Sequence, residues 1–324
     1  MSSPQTHPTS IDEHLSIPYI STSPPNPFHH FDLYVPNPTP PAKPPLICFV
    51  HGGAWRSEDK ADHAALARRL AARTRCPVAL PNYRLTTPAT PLRHPAHAAD
   101  LLAFLHFLLA WPGPADADAH GPPYDPTALY LIGHSCSAHM LTSIFLQPPS
   151  PAPPPSSADA LPPAPVPTPD TLRPAPALLA ATRALALSSG LYDLDLLLRA
   201  FPAYKSWFVA PAFGRLRTYA PWNTAAYTLR AGAAHPRWLL VHSTGDTLVH
   251  RAQSEAAWAA LRALYGEEGD GDGDAEQGGR RMVERAWDSL TEEHNEALAG
   301  EAYPRVVGDF ILDDMQWRAS ARGE

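Results

Sequence analysis

Ala128-Leu129-Tyr130-Leu131-Ile132-Gly133-His134-Ser135-Cys136-Ser137 carries an apolar run straight into a glycine, a histidine and a serine. A short apolar run bounded by turn formers suits a strand buried on both faces, and the Gly-x-Ser that follows suits a sharp turn into a helix with Ser135 at the bend. A second apolar run, Pro45-Leu46-Ile47-Cys48-Phe49-Val50, ends in His51-Gly52-Gly53-Ala54-Trp55, whose first residue precedes that serine by 84 positions (135 − 51). Its small residues leave a loop of accessible backbone N–H groups.

Around these two stretches, short apolar runs alternate with segments of helical period. The runs are 46–50, 77–80, 128–132, 184–187 and 238–241, while Phe31-Asp32-Leu33-Tyr34-Val35 alternates as an outer antiparallel strand would. Ala64 to Ala72 puts Leu66 and Leu70 on one face, and Leu101, Leu102, Leu105, Leu108 and Leu109 make a broader stripe. Such alternation predicts parallel strands covered on both faces by crossover helices, an open doubly wound α/β sheet. Ligands there bind beyond the carboxyl ends of the strands, where both motifs fall. The two motifs together resemble the oxyanion loop and nucleophile elbow of the α/β-hydrolase fold, with a small helical cap.

The chain has 324 residues, a length this fold class fills as one domain. The expected division is a flexible segment over 1–20 and a single domain over 21–324, interrupted by a proline-rich insertion (148–177), a cap region (190–235) and an acidic glycine-rich loop (266–280). Between Pro148 and Pro176 there are 13 prolines, which supply no N–H to a helix or ladder. Gly266-Glu267-Glu268-Gly269-Asp270-Gly271-Asp272-Gly273-Asp274 resembles a calcium loop, but counting from Asp270 puts Ala275 at the turn position and Arg281 at the bidentate-acid position. A solvated acidic loop is the better reading.

Lysine and arginine number 25 against 32 acids, a net charge of −7, with no basic block to track phosphates, so no nucleic-acid partner is expected. The first eight residues have neither a positive nor an apolar region, and no apolar run approaches spanning length, so no membrane partner is expected either. The three cysteines Cys48, Cys76 and Cys136 lie in or beside predicted strands, as small buried apolar groups in a reducing, cytoplasmic setting. No metal or other cofactor is expected. His94, His97 and Asp100 have helical spacing open to a metal, but no further ligand lies nearby and an ordinary helix face is preferred.

A serine hydroxyl is a weak nucleophile until an imidazole takes its proton, and that imidazole needs a carboxylate to orient it. In α/β-hydrolases the acid and the histidine follow the serine in that order. Trp238-Leu239-Leu240-Val241-His242-Ser243-Thr244-Gly245-Asp246 supplies a strand, a turn and an acid. Arg281 to Trp287 reads as the final strand, and Thr291-Glu292-Glu293-His294-Asn295-Glu296 as the loop with the base. Asp193 and Asp195 are rivals one strand too early; His242 and His250, among 16 histidines, read as structural. One position departs from the usual Gly-x-Ser-x-Gly. Ser137 stands where the second glycine lets helix and strand approach, and it is expected to crowd the turn by roughly 1 to 3 kcal/mol, so that restoring glycine would leave turnover comparable or better.

His-Gly-Gly-x-Trp at 51–55, Gly-His-Ser-Cys at 133–136, Gly-Leu-Tyr-Asp-Leu at 190–194, His-Ser-x-x-Asp at 242–246 and Glu-His-Asn at 293–295 together resemble the fungal kynurenine formamidase family, from about Phe31 to Met315. The resemblance implies hydrolysis of N-formyl-L-kynurenine to L-kynurenine and formate in tryptophan breakdown, a route toward NAD. It implies Ser135 as nucleophile, Asp246 as acid and His294 as base. Members often dimerise, so a homodimer is the expectation it carries. The N–H groups of Gly53, Ala54 and Cys136 are the expected oxyanion donors. Trp55 is expected as a wall of a tight acyl pocket, and Tyr192, Trp207 and Phe208 as a surface for an aromatic leaving group, although each could equally pack the cap. Two other readings stand beside this one: a carboxylesterase of the hormone-sensitive-lipase type, which shares the His-Gly-Gly loop, and a catalytically silent binding protein, for which Ser137 is the best argument.

Overall fold

The computed structural model describes residues 10–38, 42–114, 121–149, 171–232, 234–266 and 280–323. The strands are β1 (Ser10–Pro18), β2 (His30–Asn37), β3 (Pro45–Val50), β4 (Val78–Pro81), β5 (Asp125–His134), β6 (Leu146–Gln147), β7 (Thr182–Ser188), β8 (Thr228–Leu229), β9 (Arg237–Val241) and β10 (Val283–Ala286). The helices are α1 (Ala64–Thr74), α2 (Ala96–Ala110), α3 (Cys136–Phe145), α4 (Pro176–Ala181), α5 (Leu194–Ala200), α6 (Ala210–Phe213), α7 (Ala252–Tyr265), α8 (Glu296–Ala299) and α9 (Ala302–Arg322). Most of the proline-rich insertion, nearly all of the acidic loop with its calcium-loop pattern, and residues 1–9 lie outside the described residues. Among the described residues no helix is long and apolar enough to cross a membrane.

Eight strands form one sheet in the order β1-β2-β4-β3-β5-β7-β9-β10. From β4 to β10 the neighbours are parallel, while β1 with β2 and β2 with β4 are antiparallel. Each central strand sends alternate side chains into opposite layers, the consequence of the two-residue period. Leu46, Cys48 and Val50 of β3 join the layer with Leu101, Phe104 and Leu105 of α2 and Met140, Leu141 and Ile144 of α3. Ile47 and Phe49 join the other, with Leu66 and Leu70 of α1 and Val307, Phe310 and Ile311 of α9. Both layers are buried, which is why the strands read as unbroken apolar runs; each such side chain contributes about 1.5–3 kcal/mol.

One expectation needs correction. Residues 10–18, assigned to a flexible segment, form the outermost strand, beside the outer antiparallel strand expected at 31–35. The pattern hid β1 because only positions 11, 14 and 17 are partly buried, a spacing of three that does not alternate, and a register shift between His14 and Ile17 adds to the irregularity. Ser16 sits at the shift with φ +57°, and its N–H donates to the Asp32 carboxylate at 2.7 Å.

The interior holds several imidazoles. Burial pushes His51, His97 and His139 down to about 4, and His94 and His134 well below the usual histidine value of 6.5. Each is neutral when folded and takes a proton on unfolding below about pH 6.5. Their contribution is therefore complete above that pH and is lost as pH falls toward about 4, at about 1.4 kcal/mol per pH unit for each imidazole held neutral. Urea unfolding at pH 7.5, 6 and 5 should show stability falling steeply across this window; a flat profile between pH 7 and 5 would contradict the buried, neutral state.

Candidate active site

At the carboxyl end of β5 the chain turns into α3 through Ser135, whose backbone sits at φ +57°, ψ −123°. A non-glycine residue there is strained by about 1 to 3 kcal/mol, and the surroundings must hold it. The Ser135 N–H donates to the Ser188 carbonyl of β7 at 2.9 Å. Gly133 lets the helix fold back over the strand, since a Cβ there would lie 2.9 Å from Leu141 and 3.0 Å from the Ala138 nitrogen. Gly190, two residues past the end of β7, does the same, since a Cβ there would lie 2.7 Å from that of Ala138.

Ser137 does not crowd this turn. Fully buried, its hydroxyl accepts the His134 N–H at 2.7 Å and lies within donating reach of two carbonyls, Val50 at 2.7 Å and His134 at 2.8 Å. It fastens the elbow to the end of β3, and the close approach that a second glycine provides elsewhere is made here at Gly133 and Gly190 against Ala138. The expectation that this side chain crowds the elbow is overturned.

The loop after β3 bends through three consecutive left-handed residues, Gly53, Ala54 and Trp55, with φ of +84°, +51° and +60°. Only glycine fits at 53, where a Cβ would lie 2.0 Å from the Ser57 carbonyl oxygen. The Trp55 N–H donates to the Cys136 sulfur at 3.3 Å, and the Ala54 N–H also interacts with it. Buried, with its pKa raised to about 12 mainly by that burial, the thiol is an anchor between loop and elbow as well as the packing group that the sequence suggested. The Gly53 N–H has no backbone acceptor among the described residues, and that of Cys136, opening α3, has no intrahelical one.

The acid and the histidine meet because Gly245 has no side chain. A Cβ there would lie 2.1 Å from the Thr291 carbonyl oxygen, so only glycine lets the turn after β9 press against the loop after β10. Asp246 Oδ2 lies 2.7 Å from His294 Nδ1, while Oδ1 accepts the N–H groups of Leu248 and Val249 at 3.0 and 2.9 Å. Burial alone would raise this carboxyl. The hydrogen bond and charge of His294, with bonds from Ser189 and Val249, outweigh it and hold the group at about 2. The His134 ring lies 4.5 Å from that of His294 and is itself held by Ser188, whose hydroxyl is bonded to Tyr303.

Ser135 and His294 line one pocket of about 330 Å³ with Gly53, Ala54, Arg56, Glu58, Leu191, Tyr204, Trp207, Phe208, Leu248, Val249 and Asn295. No hydrogen bond joins the Ser135 hydroxyl to the imidazole among the described residues. Trp207 and Phe208 belong to a π-helical turn, Lys205–Val209, in the cap. Trp55 and Tyr192 do not line the pocket. Trp55 is fully buried under its own loop, 4.9 Å from Phe213 and 5.5 Å from His139, and Tyr192 fills the space left by Gly190. Tyr204, Leu248, Val249, Arg56 and Glu58 were missed by sequence reasoning; the aromatic run from Phe201 to Phe208 was the one available signal for Tyr204.

The rival residues are occupied elsewhere. Asp193 caps α5 by accepting the Leu196 N–H, and Asp195 holds Thr218, Tyr219 and Asn223. His242 bonds Ser254. Asp100 is engaged by Arg84 and lies 3.5 Å from His29, away from any shared ligation with His94 and His97.

A family model described as alpha/beta hydrolase fold matches residues 47–161. The chain is 29% identical over 227 residues to a kynurenine formamidase of Eremothecium gossypii, covering 68% of this chain and 80% of that one. It is 35% identical over 122 residues to a probable isoprenylcysteine alpha-carbonyl methylesterase of Oryza sativa subsp. japonica, a match of 37% of this chain and 26% of that one. Among solved structures it is similar to esterase B of Lactobacillus rhamnosis (TM-score 0.68, 14% identity, 98% of this chain and 90% of that one). It is also similar to carboxyl esterase 2 of Tuber melanosporum (TM-score 0.57, 16% identity, 98% and 88%).

Replacing Ser137 with alanine should leave the His134 N–H without its buried acceptor, at a cost of about 1–3 kcal/mol. Denaturant unfolding reads this directly, and unchanged stability would show that the hydroxyl is dispensable. The parallel sheet, the strained elbow between strand and helix, and the likeness to these proteins make this chain an α/β-hydrolase fold.

Proposed function

We propose that the protein is a serine hydrolase that cleaves N-formyl-L-kynurenine to L-kynurenine and formate. The observation that carries this is the 2.7 Å contact between His294 Nδ1 and the buried Asp246 carboxylate, with the same imidazole lining the pocket of Ser135. Asp246 holds the ring so that Nε2 is left for the serine proton. Ser135 attacks the formyl carbon as His294 takes that proton, and the carbonyl oxygen becomes negative. The N–H groups of Gly53 and Cys136 receive this charge; that of Ala54 is shared with the Cys136 sulfur. His294 then protonates the departing aryl amine, and water repeats the sequence on the formyl-enzyme to release formate.

Support for the substrate comes from the kynurenine formamidase of Eremothecium gossypii and from the pocket walls, where Tyr204, Trp207 and Phe208 offer aromatic faces to an aromatic leaving group. The three buried, free thiols are in keeping with a cytoplasmic setting. A carboxylesterase is the second reading, favoured by Leu191, Leu248 and Val249, an aliphatic wall suited to an acyl chain longer than formyl. The binding-only reading loses its best argument with the hydrogen-bonded Ser137.

Turnover of N-formyl-L-kynurenine should exceed that of short-chain nitrophenyl esters, and the reverse ranking selects the esterase. Ser135→Ala should lower kcat by about four or more orders of magnitude with the unfolding midpoint retained. Activity surviving that change removes Ser135 from the mechanism.

A further inference from the structure

A cleft of about 1160 Å³ adjoins the pocket of Ser135 and shares Ala54, Arg56, Trp207 and Phe208 with it. Its walls are the loop between β4 and α2 on one side and the cap from Pro202 to Arg217 on the other. Among the described residues five cations line it, Arg56, Arg93, Lys205, Arg215 and Arg217, and no carboxylate does. All five are exposed, and none is ion-paired among the described residues. This concentration of positive charge belongs to a chain whose net charge is −7.

Five like charges around one cleft repel one another and are relieved when an anion enters. Low-dielectric walls focus such a field and draw anions toward it. Arg56 is placed to connect the two cavities: it lines both, and its guanidinium donates to the Trp207 carbonyl at 2.7 Å, tying the loop after β3 to the cap across the junction. Lys205 is steadied from the far side by the Tyr219 ring, 5.9 Å from its Nζ. A substrate lying across Trp207 and Phe208 would therefore run from the serine into a positively charged channel.

We propose that this cleft is the subsite for a carboxylate on the leaving portion of the substrate, so that the enzyme selects aryl substrates bearing a carboxylate over those without one. The assignment to the leaving portion rests on the formamidase reading. There the acyl group is a single carbon, and whatever reaches the cleft belongs to the amine. Arg215 and Arg217, which line the cleft and not the serine pocket, carry the selectivity, and their exposure makes the effect sensitive to salt.

The test compares 3-(4-formamidophenyl)propanoate with its neutral carboxamide. The unsubstituted protein should favour the anion by about tenfold or more in kcat/KM, the scale of a charge-assisted contact. The Arg215→Glu/Arg217→Glu protein should lose that preference through KM. Raising NaCl to about 0.5 M should shrink it as well. A preference that survives both changes, or no preference at the outset, overturns the proposal. Calorimetric titration with 3-(4-aminophenyl)propanoate and its carboxamide decides the matter without turnover. Binding of the carboxylate alone, lost in the double variant, supports the cleft, and equal binding of the two overturns it. Should neither formamide be cleaved by the unsubstituted protein, it is the formamidase reading that fails, and the titration still judges the cleft.

Discussion

The backbone of Ser135, held at φ +57° and ψ −123°, is the constraint on which the site depends. No side chain prefers that conformation, so it persists only where neighbours leave no alternative. Here the neighbours are three strand ends: Ser188 of β7 takes its N–H, Ser137 binds the elbow to Val50 of β3, and Gly133 within β5 lets α3 close over it. The parallel sheet thus supplies more than a platform. Its central strands finish side by side, and the serine is held where their ends converge.

The second half of the site is assembled by a different device. Asp246 and His294 come from turns that follow β9 and β10, adjacent parallel strands at the sheet's end, and they meet through the missing side chain of Gly245. A parallel pair delivers its loops to the same edge, so two residues 48 positions apart become hydrogen-bonded partners. The cap then closes the remaining side with Trp207 and Phe208, and the tether from Arg56 to Trp207 ties the loop after β3 to the cap.

What could be read in the sequence was what a local pattern encodes. Apolar runs gave β3, β4, β5, β7 and β9, because these central strands are buried on both faces, while β10, half exposed at the edge, was read from its place ahead of the histidine loop. The elbow and the His-Gly-Gly loop were legible because glycine marks backbone that other residues cannot adopt. β1 was not, because its partly buried positions fall every third residue and show none of the alternation by which a strand is recognised. The role of Ser137 was misjudged for a related reason: a motif says where glycine usually sits, but whether a hydroxyl clashes or bonds depends on Val50, 87 residues away. Trp55 and Tyr192 were placed in the pocket by position in the chain, and the direction of a large side chain is a tertiary property. The cationic cleft was invisible for the same reason, since its five charges come from three separate segments.

The buried histidines and Asp246 set different boundaries on the acid side. Asp246 is held at about 2, so its carboxylate stays ionised far below the pH at which His51, His97 and His139, held near 4, begin to favour the unfolded chain. Imidazoles that are neutral only while buried start to oppose folding below about pH 6.5. The fold therefore yields before the Asp246 carboxylate can be neutralised. An acid limb in any activity profile then reflects loss of the structure around the buried histidines before protonation of Asp246.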